Sequence, residues 1–218
     1  MQEAGPTTPA TPVTQLHLSV DHRHVLTLSA TDTLRPSAIP ALAQLKTLGI
    51  ASHILTGDNA ETAAVIAASL NIPTAQTHAQ LLPQDKLAVL RTLQQQGPTA
   101  MAGDGLNDAA ALAQADTGLA ISGDGAGTDL TREAADLILM RPDLTLIPQA
   151  IRLARRTSRT MRQNLGWAVA YNLLGLPIAA GALYPHFHIL LSPILASAAM
   201  ALSSSSVLCN SLRLKRFQ

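Results

Sequence analysis

The sequence predicts an α/β domain with a parallel sheet, followed by a two-helix transmembrane hairpin. Two observations carry this prediction. From His24 to Met140, short apolar segments alternate with amphipathic ones, which is the order of strands and helices in a parallel sheet. Two uncharged, mostly apolar runs follow, Leu165–Leu183 and Phe187–Leu208, and each has about the ~20 residues that cross a bilayer as a helix.

Five segments of the α/β part are predicted as strands and three as helices. The strands are His24–Ala30, Ser52–Leu55, Thr99–Ala102, Gly118–Ile121 and Asp136–Met140, and the helices are Pro36–Leu48, Glu61–Leu70 and Pro83–Gln96. Asn59 or Asp58 caps the second helix, because either side chain can accept a hydrogen bond from the first turn. Ligands of parallel sheets bind at the carboxyl ends of the strands, where the Gly57-Asp58 and Gly103-Asp104 turns fall.

Composition excludes several classes of protein. A net charge of +1 provides no basic field, so we expect no nucleic-acid partner. The single cysteine, Cys209, excludes an internal disulfide framework and a zinc site built from cysteines alone. Residues 1–23 begin with a stretch rich in Thr, Pro and Ala and are predicted as a linker or ragged N-terminus.

The charges around the two apolar runs predict their orientation. Arginines precede the pair at positions 152, 155, 156, 159 and 162, and Arg213, Lys215 and Arg216 follow it. Tyr184-Pro185-His186 between the runs carries no Lys or Arg and is predicted as a tight turn. By the positive-inside rule, both ends of the hairpin lie in the cytoplasm.

The turn Gly103-Asp104-Gly105-Leu106-Asn107-Asp108 lies between a predicted strand and an alanine-rich helix. Two carboxylates and an amide on a Gly-rich turn are suited to holding Mg²⁺ beside a phosphoryl group. Thr56 ends another strand and can donate to a phosphoryl oxygen, and Lys86 presents a positive charge from the start of a helix. Each residue taken alone has an alternative role. Thr56 can cap a helix, Lys86 can be a solvated helix residue, and Asp108 can be an acidic residue in the first turn of a helix.

These motifs resemble a known family. Thr56-Gly57-Asp58-Asn59, the pair Pro83 and Lys86, and the turn Gly103 to Asp108 are similar to the phosphorylation-domain motifs of P-type cation ATPases, members of the haloacid-dehalogenase fold group. Asp32-Thr33-Leu34-Arg35-Pro36 resembles the hinge that enters that domain. The resemblance implies a haloacid-dehalogenase-like parallel sheet.

The resemblance also implies a division of the chain and roles for its residues. Residues 24–35 are the end of a nucleotide-binding domain and a hinge, 36–150 the C-terminal part of the phosphorylation domain, 151–163 a basic cytoplasmic connector, 164–208 two transmembrane helices and 209–218 a basic cytoplasmic tail. The implied catalytic residues are Thr56, Asp58, Lys86 and Asn107, the implied Mg²⁺ ligands are Asp104 and Asp108, and ATP is the phosphoryl donor.

Within this family, the apolar runs are similar to those of copper(I)-exporting ATPases. The similarity rests on Tyr171-Asn172 in the first run and on Met200 and Ser204 in the second, and it implies that these four residues contact the transported metal. A thioether suits Cu⁺ or Ag⁺, which these ligands do not distinguish. The alternative is that Met200 and the serines 203–206 serve close packing between helices.

Several family features are absent from these 218 residues, among them the Asp-Lys-Thr-Gly-Thr motif that carries the phosphorylated aspartate, the actuator domain and the membrane spans with the Cys-Pro-Cys metal ligands. The resemblance therefore implies a sheet without the nucleophile strand, which lies in the family between the strands carrying Thr56 and Asp104. We expect the C-terminal part of a pump of the bacterial inner membrane, inactive alone, with the N-terminal part and a copper chaperone as partners. The alternatives are a non-enzymatic membrane module from a truncated or split gene, which binds metal or a partner subunit, and a membrane-anchored phosphatase of the same fold group.

Overall fold

The computed structural model describes residues 14–21, 23–30, 33–103, 108–121, 133–182, 184–187 and 193–216. The chain divides into two compact units, Met1–Pro148 and Gln149–Gln218.

The first unit opens with an antiparallel hairpin. Strand β1 (Thr14–Val20) pairs with β2 (Arg23–Ala30), and the register shifts between Leu18 and Ser19. The prediction of a linker over residues 1–23 is wrong for β1. Its sequence alternates polar residues with Leu16, Leu18 and Val20, which is the period-2 pattern of a strand.

The remaining strands of this unit are parallel, as predicted. β3 (Ile54–Leu55) pairs with β4 (Thr77–His78). β5 (Ala100–Gly103), β6 (Thr117–Ile121) and β7 (Leu137–Leu139) form a three-stranded sheet in that order. Among the described residues, β3 and β5 share no ladder of hydrogen bonds, and each pairs with one neighbouring strand.

Helices flank these strands in the described part of the unit. They are α1 (Ala38–Thr47), α2 (Ala60–Ser69), α3 (Pro83–Gln94) and α4 (Ala109–Gln114), with a short 3₁₀ turn at Thr74–Gln76. Proline at the first position of α3 fits the start of a helix, where its missing N–H has no partner to lose. Buried side chains include Ala63 and Ala67 on α2, Ala111 and Leu112 on α4, and Leu119 and Ile121 on β6. Alanine faces let helices pack closely against the strands.

The second unit is helical. Its helices are α5 (Leu146–Ala179), α6 (Tyr184–Phe187) and α7 (Pro193–Leu212), followed by a 3₁₀ turn at Arg213–Arg216. The predicted connector 151–163 is not a separate element but part of the 34-residue α5, and the predicted turn at Tyr184-Pro185-His186 lies in α6. Within the described ranges, no helix combines the length and the apolar character needed to cross a membrane.

Amide side chains join α5 to α7. Asn164 Nδ2 donates to Ser211 Oγ at 2.9 Å, and Asn210 Nδ2 donates to Asn164 Oδ1 at 2.9 Å. Asn210 Nδ2 also lies 3.4 Å from Gln163 Oε1. Asn164 is therefore both donor and acceptor in one polar cluster, which sets the register between the two helices.

Candidate functional site

The turn after β3 is held by its own side chains. Thr56 Oγ1 donates to Asp58 Oδ2 at 2.7 Å, and the Asp58 backbone N–H donates to Thr56 Oγ1 at 3.1 Å. Asn59 caps α2, because its Oδ1 accepts from the Thr62 N–H at 2.8 Å. Of the two predicted caps, Asn59 is therefore the one observed, and the Asp58 carboxylate instead accepts from Thr56.

A neighbouring segment fixes the backbone of this turn. The Thr56 N–H donates to His78 O at 2.9 Å, and Thr56 O accepts from the Leu81 N–H at 3.0 Å. The Gln80 N–H donates to Asp58 O at 2.8 Å. The segment 78–81 therefore determines where the Thr56 hydroxyl lies.

Lys86 and Asp108 meet in an ion pair. Lys86 Nζ lies 2.7 Å from Asp108 Oδ1, and the two side chains are 15% and 18% exposed. Lys86 comes from the first turn of α3, and Asp108 precedes α4. The structure thus brings together one predicted catalytic residue and one predicted magnesium ligand.

Gly103 allows the Asp108 carboxylate to approach the end of β5. A Cβ added at Gly103 would lie 3.0 Å from both Cβ and Oδ2 of Asp108, tighter than most real Cβ contacts. Glycine therefore accommodates the close approach of Asp108, and a larger residue would require that side chain to shift. Asp108 Oδ1 is held by Lys86, while Oδ2 lies beside the glycine.

The other predicted phosphoryl-site residues, Asp104 and Asn107, lie outside the described residues. No group of three or more His, Cys, Asp or Glu side chains that could hold a metal is found in the part of the chain that the structure describes. The magnesium site therefore stays a prediction. Of its two predicted ligands, the structure describes Asp108 but not Asp104.

The predicted ligands of the transported metal lie on two helices. Tyr171 and Asn172 are exposed on α5, and the Tyr171 ring lies 6.3 Å from that of Trp167. Asn172 lines a groove on α5 together with Val169, Leu173, Leu176 and Pro177. Met200 and Ser204 lie one turn apart on α7. The structure leaves their metal-binding role a prediction.

The structure also brings together two titratable residues that no sequence motif predicts. His53 and His78 lie with their ring centroids 5.8 Å apart and their planes 12° from parallel. Burial, and secondly the neighbouring His78 ring, lower the pKa of His53 below its ordinary value of 6.5. A parallel pairing of β3 with β4 creates this neighbourhood, and no motif in the sequence signals it.

Comparison with known proteins identifies the family and the relatives of this chain. Residues 3–116 match the family described as haloacid dehalogenase-like hydrolase. The chain is 48% identical over 205 residues to a protein of Synechocystis sp. named "Probable copper-transporting ATPase PacS", covering 94% of this chain and 27% of that protein. It is 47% identical over 189 residues to a copper-transporting P-type ATPase of Rhizobium leguminosarum bv. viciae, covering 86% of this chain and 22% of that protein. It thus spans about a quarter of the length of these relatives.

A solved structure extends the similarity to the fold. A zinc-transporting PIB-type ATPase in the E2·Pi state matches with a TM-score of 0.77 and 35% sequence identity. The match covers 94% of this chain and 32% of that one. The likeness therefore includes nearly all of the present chain and about a third of the solved one.

Proposed function

The chain belongs to the haloacid dehalogenase-like hydrolase family, and we propose that it works as the C-terminal part of an ATP-driven heavy-metal pump. Its relatives among the P-type ATPases are enzymes that hydrolyse ATP. In this proposal the first unit carries half of a phosphoryl-transfer site, and the second unit carries part of the metal pathway.

The observation that carries the proposal is the ion pair of Lys86 with Asp108, 2.7 Å long. It places a cation and a carboxylate at the end of β5, in the region where parallel sheets bind ligands. Lys86 stabilises the negative charge of the transferred phosphoryl group. Thr56 donates its hydroxyl hydrogen to a phosphoryl oxygen once it releases Asp58.

The residues present fit Mg²⁺. Mg²⁺ prefers oxygen ligands. Asp108 offers Oδ2, which lies close to the end of β5 because residue 103 is a glycine. Asp104 and Asp108 would hold the ion, and the ion would neutralise charge on the phosphoryl oxygens. Asn107 and Lys86 contact the same group and orient it.

The phosphorylated aspartate comes from outside these residues in this proposal. The 218 residues contain no Asp-Lys-Thr-Gly-Thr sequence, so we propose that they form no phosphoenzyme by themselves. The segment that carries the aspartate is then the main partner of this chain, and a copper chaperone is a partner of the whole pump.

We further propose that α5 and α7 belong to a membrane hairpin with both termini in the cytoplasm of a bacterial cell, at its inner membrane. The uncharged runs 165–183 and 187–208 extend beyond the apolar parts of the described helices. Large apolar side chains are exposed along α5, with Leu165, Leu173 and Leu174 each at least 66% exposed. Exposed apolar surface of this extent favours contact with lipid.

The cargo that we propose is Cu⁺ or Ag⁺, contacted by Tyr171, Asn172, Met200 and Ser204. Its support is the soft thioether of Met200 and the copper-transporting relatives. Because the matching solved structure is of a zinc-transporting ATPase, the cargo has to be measured separately from the phosphoryl chemistry.

A chimera tests the phosphoryl-site proposal. The matching region of the Synechocystis relative is replaced by this chain, and metal-stimulated ATP hydrolysis is measured. We expect Lys86→Ala to reduce the rate at least about 100-fold, because it removes transition-state charge stabilisation. Lys46→Ala, an exposed lysine on α1, is the matched control and should leave the rate unchanged. Equal rates in both variants would rule out the proposed role of Lys86.

A second variant tests the cargo. In the same chimera, Met200→Ala should abolish stimulation by Cu⁺ while phosphorylation by inorganic phosphate persists. Stimulation by Zn²⁺ rather than Cu⁺ in the unsubstituted chimera would contradict the proposed cargo. Loss of both reactions in Met200→Ala would assign Met200 to packing.

A further inference from the structure

We propose that His53 and His78 form a binding site for a transition-metal ion of the Zn²⁺ and Cu²⁺ class, distinct from the phosphoryl site and from the proposed transport residues. His53 Nδ1 and His78 Nε2 are both buried, and neither has a hydrogen-bond partner among the described residues. A buried polar atom without a partner calls for an unseen water or ion.

The two rings belong to one cavity. Leu55 of β3 is paired in register with His78 of β4, and His53 lies two residues before Leu55. Because side chains alternate along a strand, His53 and His78 fall on the same face. The cavity there has a volume of about 210 Å³, and its lining comprises His53, Ala75, His78, Val89, Thr92, Leu93 and Gln96.

The chemistry of the cavity favours a metal. Neutral imidazole nitrogen is the most common ligand of transition metals in proteins and suits zinc, copper and nickel. Among the residues that the structure describes, the lining contains no carboxylate, so the oxygen-seeking ions Mg²⁺ and Ca²⁺ are disfavoured. A volume of about 210 Å³ leaves space for the ion and for several waters, which complete its coordination shell.

A metal at this position would act on the phosphoryl site through one residue. His78 offers its ring to the cavity, while its backbone oxygen accepts from the Thr56 N–H at 2.9 Å. Fixing the His78 ring therefore restrains the segment that holds Thr56. The site couples metal concentration to the rigidity of the Thr56 turn, and this coupling is independent of whether phosphoryl transfer takes place there.

Histidine-ring NMR on the full chain in detergent tests the site directly. The chain is labelled with ¹⁵N-histidine, and Zn²⁺ is added to one equivalent. We expect the largest ¹⁵N shifts at His53 Nδ1 and His78 Nε2. Shifts confined to the other five histidines, or no shift at all, would overturn the proposal.

Calorimetry supplies an independent measure. The exposed pair His17 and His24, whose rings share the Thr27 hydroxyl, is removed first by His17→Ala and His24→Ala to give a reference chain. In that chain, His53→Gln should weaken Zn²⁺ binding at least about 10-fold, because one of two protein ligands is lost. Thermal unfolding without metal checks that the variant folds. An affinity within twofold of the reference chain would refute the site.

Amide hydrogen exchange tests the coupling. With Zn²⁺ bound, the Thr56 amide should exchange at least about 5-fold more slowly, a usual size for coupling between sites. The Thr62 amide, held by the Asn59 cap, is the internal control and should not change. Equal exchange at Thr56 with and without bound zinc would disprove the link to the phosphoryl site.

Discussion

Lys86 Nζ lies 2.7 Å from Asp108 Oδ1, although 22 residues separate them in the sequence. The pair joins the start of α3 to the residue before α4, and both side chains are largely buried. In the proposed pump, this contact positions the lysine at the phosphoryl group before any ligand arrives. Preorganised charges of this kind are effective because they need no rearrangement during the reaction.

Breaking this pair should destabilise the first unit. Asp108→Ala leaves the Lys86 ammonium largely buried without its partner, and we expect the free energy of unfolding to fall by about 1–3 kcal/mol. Urea unfolding of the full chain measures it. The double variant Lys86→Met with Asp108→Ala should recover part of the loss, because no buried charge remains. A single variant as stable as the parent chain would show that the pair contributes nothing.

A methyl group at Gly103 should displace Asp108. Gly103→Ala places a Cβ 3.0 Å from Asp108 Cβ, so we expect a loss of about 1–3 kcal/mol in unfolding free energy. Gly166→Ala in α5 is the matched control, because nothing lies within 4 Å of its added Cβ. In the control, alanine should be neutral or stabilising, since it favours helix more than glycine does. Equal effects of the two substitutions would contradict the close approach.

The effects of two substitutions on stability test whether Asn59 or Asp58 caps α2. Asn59→Ala removes the hydrogen bond to the Thr62 N–H and should cost about 1 kcal/mol of stability. Asp58→Ala removes only an exposed contact with Thr56 and should cost less. Chemical denaturation of both variants decides between them, and a larger loss in Asp58→Ala would reverse the assignment.

Stability should depend on pH through His53. Its pKa is lowered in the folded chain, so the unfolded chain takes up a proton first as the pH falls through about 6.5. The contribution of His53 to the free energy of unfolding is therefore fully present above that pH and decreases below it. His78 is the titratable neighbour in the cavity, whose other lining residues are uncharged.

Unfolding free energies measured between about pH 5 and pH 8 test this dependence. His53→Gln should flatten the decline on the acidic side, and His24→Ala, at an exposed histidine, should leave it as it is. The same slope in the parent chain and in His53→Gln would show that His53 does not control the acid sensitivity.

The fold could be predicted where local signals are strong. Proline at position 83 and the Gly97-Pro98 pair delimit α3 to within two residues, and the alternation of strands and helices gives the parallel sheet. β1 was not predicted, because the Thr, Pro and Ala of the first residues outweighed a short alternating stretch. β4 has two residues, too few for a periodic pattern, and it exists through its pairing with β3.

The candidate site could likewise be predicted from the sequence only in part. The meeting of Lys86 and Asp108 agrees with a general rule, that the turns after parallel strands gather at one edge, although the strands before them, β4 and β5, lie in separate ladders among the described residues. The neighbourhood of His53 and His78 depends on the register between two short strands, which pairing over a long sequence separation decides. Pairing of this kind leaves no local trace in the sequence.

In the proposed pump, this chain supplies half of a phosphoryl site and requires an aspartate from another segment. Formation of an acid-stable phosphoenzyme from labelled ATP tests it most directly. The chimera with the Synechocystis relative should be labelled, Lys86→Ala in that chimera should lose at least about nine-tenths of the label, and the 218 residues alone should take up none. Labelling of the isolated chain, or full labelling of the Lys86→Ala chimera, would contradict the claim.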